Sequence, residues 1–138
     1  MNRMTPARAA EIDRYTQGGC VVFAVEAATV TGGEPVFITD DNGKTGHAMV
    51  QLPDGRLFDV RGLFAAGGLR EHCPAEHGGI VFLGRNPAGV IAHESMGLPE
   101  PVIVPLAVTV HGREHEQASH TDKTFARLAA ERIWKECQ

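Results

Sequence analysis

The chain has 138 residues, 43% of them apolar and 22% charged, and a formal charge of −4. That composition belongs to a globular rather than a disordered protein, and the length suits a single domain over residues 1–138. The acidic balance and the lack of any Lys/Arg cluster argue against a nucleic-acid partner, whose phosphates are met by a basic stripe.

Residues 1–14 are polar and charged and lack the apolar core of a secretory signal. No apolar run is long enough to cross a bilayer, so no membrane partner is expected and the expected location is cytoplasmic. The three cysteines, Cys20, Cys73 and Cys137, are odd in number and widely spaced. They do not form a disulfide framework, which fits a reducing compartment and leaves at least one thiol to explain.

Pro6 stands at the first position of a short helix expected over residues 7–14, where its missing N–H costs nothing. A glycine-bearing loop follows at 15–19. Residues 20–30 are strongly apolar with Glu26 as the single charge, and the run breaks at Gly32-Gly33. The run is too long for a strand and ends in a helix stop, so it predicts a buried central helix beginning at Cys20. Residues 35–39 form a short strand and 40–46 a loop. Strands at 47–52 and 56–60 are joined by Pro53-Asp54-Gly55. Residues 62–70 suit a helical turn or a loop. Further strands are expected at 80–83 and at 102–110, the latter at a sheet edge because Pro105 cannot donate to a ladder. Residues 119–137 read as an amphipathic helix. Its core face is assigned to Phe125, Leu128, Ala129 and Ile133, and its cap to Thr121 or Asp122. The fold class is α+β.

Cys20 follows a Gly-Gly pair and opens a helix. There the helix dipole and the unsatisfied N–H groups favour a thiolate and could also hold an oxyanion. Most lone cysteines are simply small apolar core residues. The hairpin changes that weighing. A Pro-Asp-Gly loop is a type I turn with glycine in the left-handed bulge position, and it pairs Leu52 with Arg56. Counting outward, Met49 faces Asp59, and His47 lies on the same face as Met49. His47 and Asp59 become diagonal neighbours roughly 7–8 Å apart at the backbone, within side-chain reach. The opposite face carries Ala48, Val50, Leu52, Phe58 and Val60 as core. A one-residue slip would separate His47 from Asp59. A thiol needs an imidazole to take its proton, and the imidazole needs a carboxylate to fix its tautomer. Cys20, His47 and Asp59 are therefore the candidate catalytic residues.

Gln17-Gly18-Gly19-Cys20, Gly46-His47-Ala48-Met49-Val50 and Asp54-Gly55-Arg56-Leu57-Phe58-Asp59 resemble the Cys, His, Asp order of the papain-like superfamily. Its transglutaminase-like, arylamine N-acetyltransferase and NlpC/P60 peptidase branches have the most similar pattern. The resemblance covers residues 15–62. It implies a small papain-like fold, with a central helix starting at the cysteine and packed on an antiparallel sheet. It also implies a Cys20 nucleophile, a His47 general base, an Asp59 that orients it, and Gln17 as an oxyanion donor. No cofactor is implied, and the partner would be a protein or peptide substrate.

Two histidine pairings, Cys73 with His77 and His111 with His115, have spacings a zinc site could use, but neither has a matching second pair. No metal site is expected. Glu114-His115-Glu116 reads as a solvated loop, and Trp134 marks a dimer face if the last helix has one. Three functional readings follow. The first is a thiol hydrolase or acyl/amide transferase. The second is a catalytically silent papain-like binding module, such as a small phage- or mobile-element-encoded inhibitor of a protein. The third is a histidine-based metal or small-molecule binder.

Overall fold

The computed structural model describes residues 5–16, 18–39, 46–64 and 102–138. Their order is α1 (Pro6–Thr16), α2 (Cys20–Thr31), β1 (Glu34–Thr39), β2 (Gly46–Gln51), β3 (Leu57–Asp59), β4 (Gly62–Phe64), β5 (Val102–Pro105), a 3-10 turn (Leu106–Val108), α3 (Glu114–Gln117) and α4 (His120–Glu136). The five strands form one antiparallel sheet in the order β4-β3-β2-β1-β5. The class is α+β, and the helix that opens at Cys20 packs on the sheet. No described helix is long and apolar enough to cross a membrane.

Helix α2 stops where the Gly pair requires. Gly32 takes the left-handed conformation at φ 80° and donates its N–H to the Ala28 carbonyl. A glycine is needed there because an L side chain resists positive φ. The helix interior is apolar enough to be covered on most sides. Its single charge, Glu26, accepts from His115 at 2.6 Å and Arg127 at 2.9 Å, which ties α2 to α3 and α4.

The hairpin adopts the register that its loop dictates. Val50 pairs with Phe58 and Gln51 with Leu57. Leu52 N–H donates to Arg56 O at 2.8 Å, Gly55 N–H to Leu52 O at 2.9 Å, and Gly55 sits at φ 93°. One face of the sheet then buries Val50, Leu52, Phe58 and Val60 against Phe23 and Ala27 of α2 and against Ala126, Ala130 and Ile133 of α4. The other face buries Val36, Ile38, Met49 and Leu57, joined by Phe64 and Ile103. His47 and Asp59 belong to this hairpin and are both buried.

Several expected elements come out differently. Residues 62–64 are a strand, not a helical turn: the Val60-Arg61 turn folds the chain back so that Asp59 pairs with Gly62, at φ 121°, and Phe58 with Leu63. The strand expected at 102–110 ends at Pro105, and the chain turns into a 3-10 segment. It does lie at an edge, beside β1. Residues 114–117 form a short helix instead of a loop. The last helix is capped by Ser119, whose hydroxyl accepts from Asp122 N–H, and not by Thr121 or Asp122. Its buried row is Ala126, Ala129, Ala130 and Ile133. Phe125 and Leu128 are 52% and 55% exposed, so they flank the core face and line a cleft with Ala7, Glu11, Arg14 and Tyr15 of α1. Alanines at the contact let α4 approach closely, which larger side chains would prevent. Trp134 is half-buried and packs edge-on to Phe58 at 5.3 Å. The strand expected at 80–83, Cys73, His77 and the 40–45 loop lie outside the described residues.

Gly46 starts β2 where only a hydrogen fits. A Cβ there would meet the Ile38 carbonyl oxygen at 2.1 Å and the Phe37 ring at 2.8 Å. Gly46→Ala is therefore expected to lower the unfolding free energy by about 1–3 kcal/mol, the usual cost of overpacking. Urea denaturation of the two proteins measures it.

Candidate functional site

Cys20 is the first residue of α2 and is half-buried, with Gly19 as a cap that has no side chain to offer. The first N–H groups of a helix have no partner within it, so the thiol sits at the positive end of the α2 dipole. Gly19 cannot carry a side chain cheaply: a Cβ would lie 2.9 Å from the Arg14 carbonyl oxygen and 3.0 Å from the Tyr15 ring. Gly19 N–H also donates to that Arg14 carbonyl at 2.9 Å. The end of α1 thus fixes the approach to α2. Tyr15 is itself a core residue, 5% exposed and tilted against Phe23. Cys20 and Cys137 are thiols, not half-cystines.

His47 lies in β2, opposite Ile38 of β1, and is fully buried. Its Nε2 meets Asp59 Oδ2 at 2.8 Å. The Cys20 thiol is the imidazole's other neighbour and favours its charged form. With Nε2 engaged by the carboxylate, Nδ1 is the nitrogen left for the thiol. The structure thus brings Cys20, His47 and Asp59 together, in the diagonal relation that the hairpin register requires. Gln17 lies outside the described residues.

Asp59 ends β3 with its side chain 2% exposed. Burial alone would favour the neutral acid. Arg61 opposes it: Arg61 Nη2 donates to Oδ2 at 2.6 Å, Nε to Oδ2 at 2.9 Å and to Oδ1 at 3.2 Å, and Arg61 backbone N–H to Oδ1 at 2.7 Å. Against the desolvation that pushes it up, the Arg61 charge and the His47 hydrogen bond hold the Asp59 carboxyl well below the usual carboxylate range. For His47 burial is again the largest influence and acts downward. The hydrogen bonds and charges of Asp59 and Cys20 together outweigh it, so its pKa is raised above 6.5. Both groups are held in their charged forms by one another.

Arg61 is the member of this cluster that sequence reading missed. Its side chain is 6% exposed, and its guanidinium lies over the Phe64 ring at 5.1 Å. An Asp-x-Arg immediately after the strand that carries the acid is the signal that could have found it, once residues 62–64 are seen as the returning strand.

Among the other described histidines, His111 Nδ1 pairs with Glu114 and its ring lies tilted against Phe37 with centroids 5.0 Å apart, while His115 pairs with Glu26. Among the described residues no group of three or more His, Cys, Asp or Glu side chains could hold a metal ion.

The buried acid makes a prediction about stability. The folded pKa of Asp59 is depressed, so its contribution is present above its ordinary value of 3.8 and is lost as pH falls toward the folded value. Asp59→Asn leaves the Arg61 guanidinium without its counter-charge and is expected to cost about 3–5 kcal/mol at neutral pH. The gap to wild type should stay level down to pH 5 and narrow below pH 4 in urea titrations. A gap that is the same at pH 3 as at pH 7 would contradict the ionised assignment. The chain as a whole matches no family model, no curated protein and no solved structure.

Proposed function

We propose that the protein is a thiol-dependent hydrolase or acyl/amide transferase of papain-like type, acting on a peptide, isopeptide or amide carbonyl. The observation that carries this reading is a thiol at a helix start, joined to a buried imidazole whose far nitrogen is held by an ionised carboxylate. A structural cysteine needs none of this, because burial in apolar surroundings leaves a thiol inert.

The reaction follows from the roles these groups can take. His47 accepts the thiol proton and the Cys20 sulfur attacks the substrate carbonyl carbon, forming the C–S bond while the carbonyl π electrons move to oxygen. The N–H groups at the start of α2 are the candidate donors to the developing oxyanion, and Gln17 is the candidate second donor. As the intermediate collapses, the C–N bond breaks and the imidazolium gives its proton to the leaving amine. A thioester on Cys20 remains. Water or an acceptor amine, deprotonated by His47, attacks that thioester and releases the acyl group, and the thiolate takes back the proton. Asp59 stays ionised throughout and holds the imidazole in the Nε2–H tautomer, so that Nδ1 is the basic atom.

The test is the pH dependence of Cys20 alkylation by iodoacetamide in a protein whose Cys73 and Cys137 are changed to Ser. The expected thiol pKa lies below the value of about 8.5 for an ordinary cysteine, and it should rise toward that value in His47→Ala. A Cys20 that titrates as an ordinary thiol in both proteins would sink the enzymatic reading. It would leave the second one, a papain-like module that binds a protein without catalysis.

A further inference from the structure

Arg61 has a geometry that packing alone does not call for. Its guanidinium presents two nitrogens to Asp59, both reaching Oδ2, and its backbone N–H takes Oδ1. The carboxylate is thereby gripped from the turn that follows it, with its Oδ2 shared between Arg61 and His47 Nε2. The guanidinium carbon lies 5.1 Å from the centroid of the Phe64 ring, which stands in β4 opposite Leu57. We propose that Arg61 is a positioning residue for the thiol site: it fixes the charge and direction of Asp59 and, through Asp59, the tautomer and tilt of the imidazole that meets Cys20. This rests on the thiol-enzyme reading above and deepens it, since no substrate atom need touch Arg61.

Physical argument favours this role over simple charge balance. A buried carboxylate next to an imidazole can rest in two ways, as an ionised acceptor or as a neutral acid that no longer selects the Nε2–H form. An adjacent guanidinium removes the second choice. It also fixes which lone pair of Oδ2 faces the ring, because a planar fork constrains orientation where a Lys ammonium would act only as a point charge. Among the described residues the other groups around Asp59 do not substitute. From α1, Arg8 spends its Nη2 on the Val60 carbonyl at 2.6 Å and its Nη1 on Glu11. From α4, the Cys137 sulfur lies 3.9 Å from where a Cβ of Gly62 would be. From β2 there is His47 itself, and from α2 Cys20 acts through it.

Charge and geometry are separable by two substitutions. Arg61→Met removes the charge and keeps much of the bulk. Arg61→Lys keeps the charge and loses the fork. Both are made in the Cys73→Ser, Cys137→Ser protein, and folding is confirmed by unfolding curves. Three readouts follow: the Asp59 carboxyl carbon by NMR as pH is lowered from 7 to 4, the His47 ring nitrogens for the tautomer at a pH above the ring's own midpoint, where it is neutral, and the rate of Cys20 alkylation at pH 6. In the parent protein Asp59 should show no titration step and the neutral His47 ring a single Nε2–H form. In Arg61→Met, Asp59 should titrate above about 4, as burial without a guanidinium demands. The tautomers should mix, and alkylation should slow by roughly tenfold or more, the scale seen when the outer partner of a functional histidine is lost.

Arg61→Lys should leave Asp59 ionised but still mix the tautomers and slow alkylation. That split is something a merely stabilising residue would not produce. If Arg61→Met does not fold, Arg61→Lys decides alone: wild-type tautomer and alkylation rate there would overturn the proposal. So would an Asp59 that stays ionised, with an unmixed His47, in Arg61→Met. An ordinary Cys20 thiol in the parent protein is a different result. It would sink the enzymatic reading while the Asp59 and His47 signals still report on Arg61.

Discussion

A carboxylate cannot be sealed between two apolar layers unless something matches its charge and its lone pairs. At Asp59 that demand is met twice within a short stretch of chain, by Arg61 two residues on and by His47 across the hairpin. Much else in the molecule follows from it. The β3–β4 turn must fold tightly enough for Arg61 to reach back, so Gly62 sits at φ 121°. The hairpin must hold its register, because a slip by one residue would turn Asp59 or His47 into the opposite core layer with no partner. The imidazole, gripped at Nε2, is left with one direction in which its other nitrogen can point, and the start of α2 lies there.

The surroundings of the site are braced from outside. Arg8 of α1 bonds the Val60 carbonyl in the β3–β4 turn, and Glu11 of α1 pairs with both Arg8 and Arg132 of α4. These exposed or half-exposed pairs add little stability individually. Their value is geometric: they connect the turn that carries Arg61 to the two helices that flank α2. On the other side of α2, Glu26 links α3 and α4. The helix that carries Cys20 is thus anchored at its start by the end of α1 and along its length by buried packing and one paired acid.

The parts of this design that are local in sequence were legible from it. The Pro-Asp-Gly loop specified the hairpin register, and with it the proximity of His47 and Asp59, because loop length and the left-handed glycine leave little choice. The helix start at Cys20 and its stop at Gly32 followed from glycines flanking an apolar run. The parts that depend on tertiary packing were not legible. Phe125 and Leu128 are the bulkier apolar residues of α4, yet the helix turns Ala126, Ala129, Ala130 and Ile133 inward, because proximity to α2 favours small side chains over large ones. Val102–Pro105 stops earlier than its β-branched residues suggest, since Pro105 cannot continue the ladder. Arg61 escaped notice because a charged residue after a strand usually faces water. Only the returning β4 strand and the Phe64 ring reveal why this one does not.

The central claim is that thiol, imidazole and carboxylate form one coupled unit, and the most direct measurement of it is the NMR titration of the His47 ring in wild type and in Cys20→Ala. If the unit is coupled, His47 keeps its proton to above pH 6.5 in wild type, and its midpoint falls when the sulfur is removed, because Cys20 is one of the groups that hold the imidazolium in place. A His47 midpoint that is the same with and without Cys20 would show that the thiol and the imidazole are neighbours only, and the account of the site would fail.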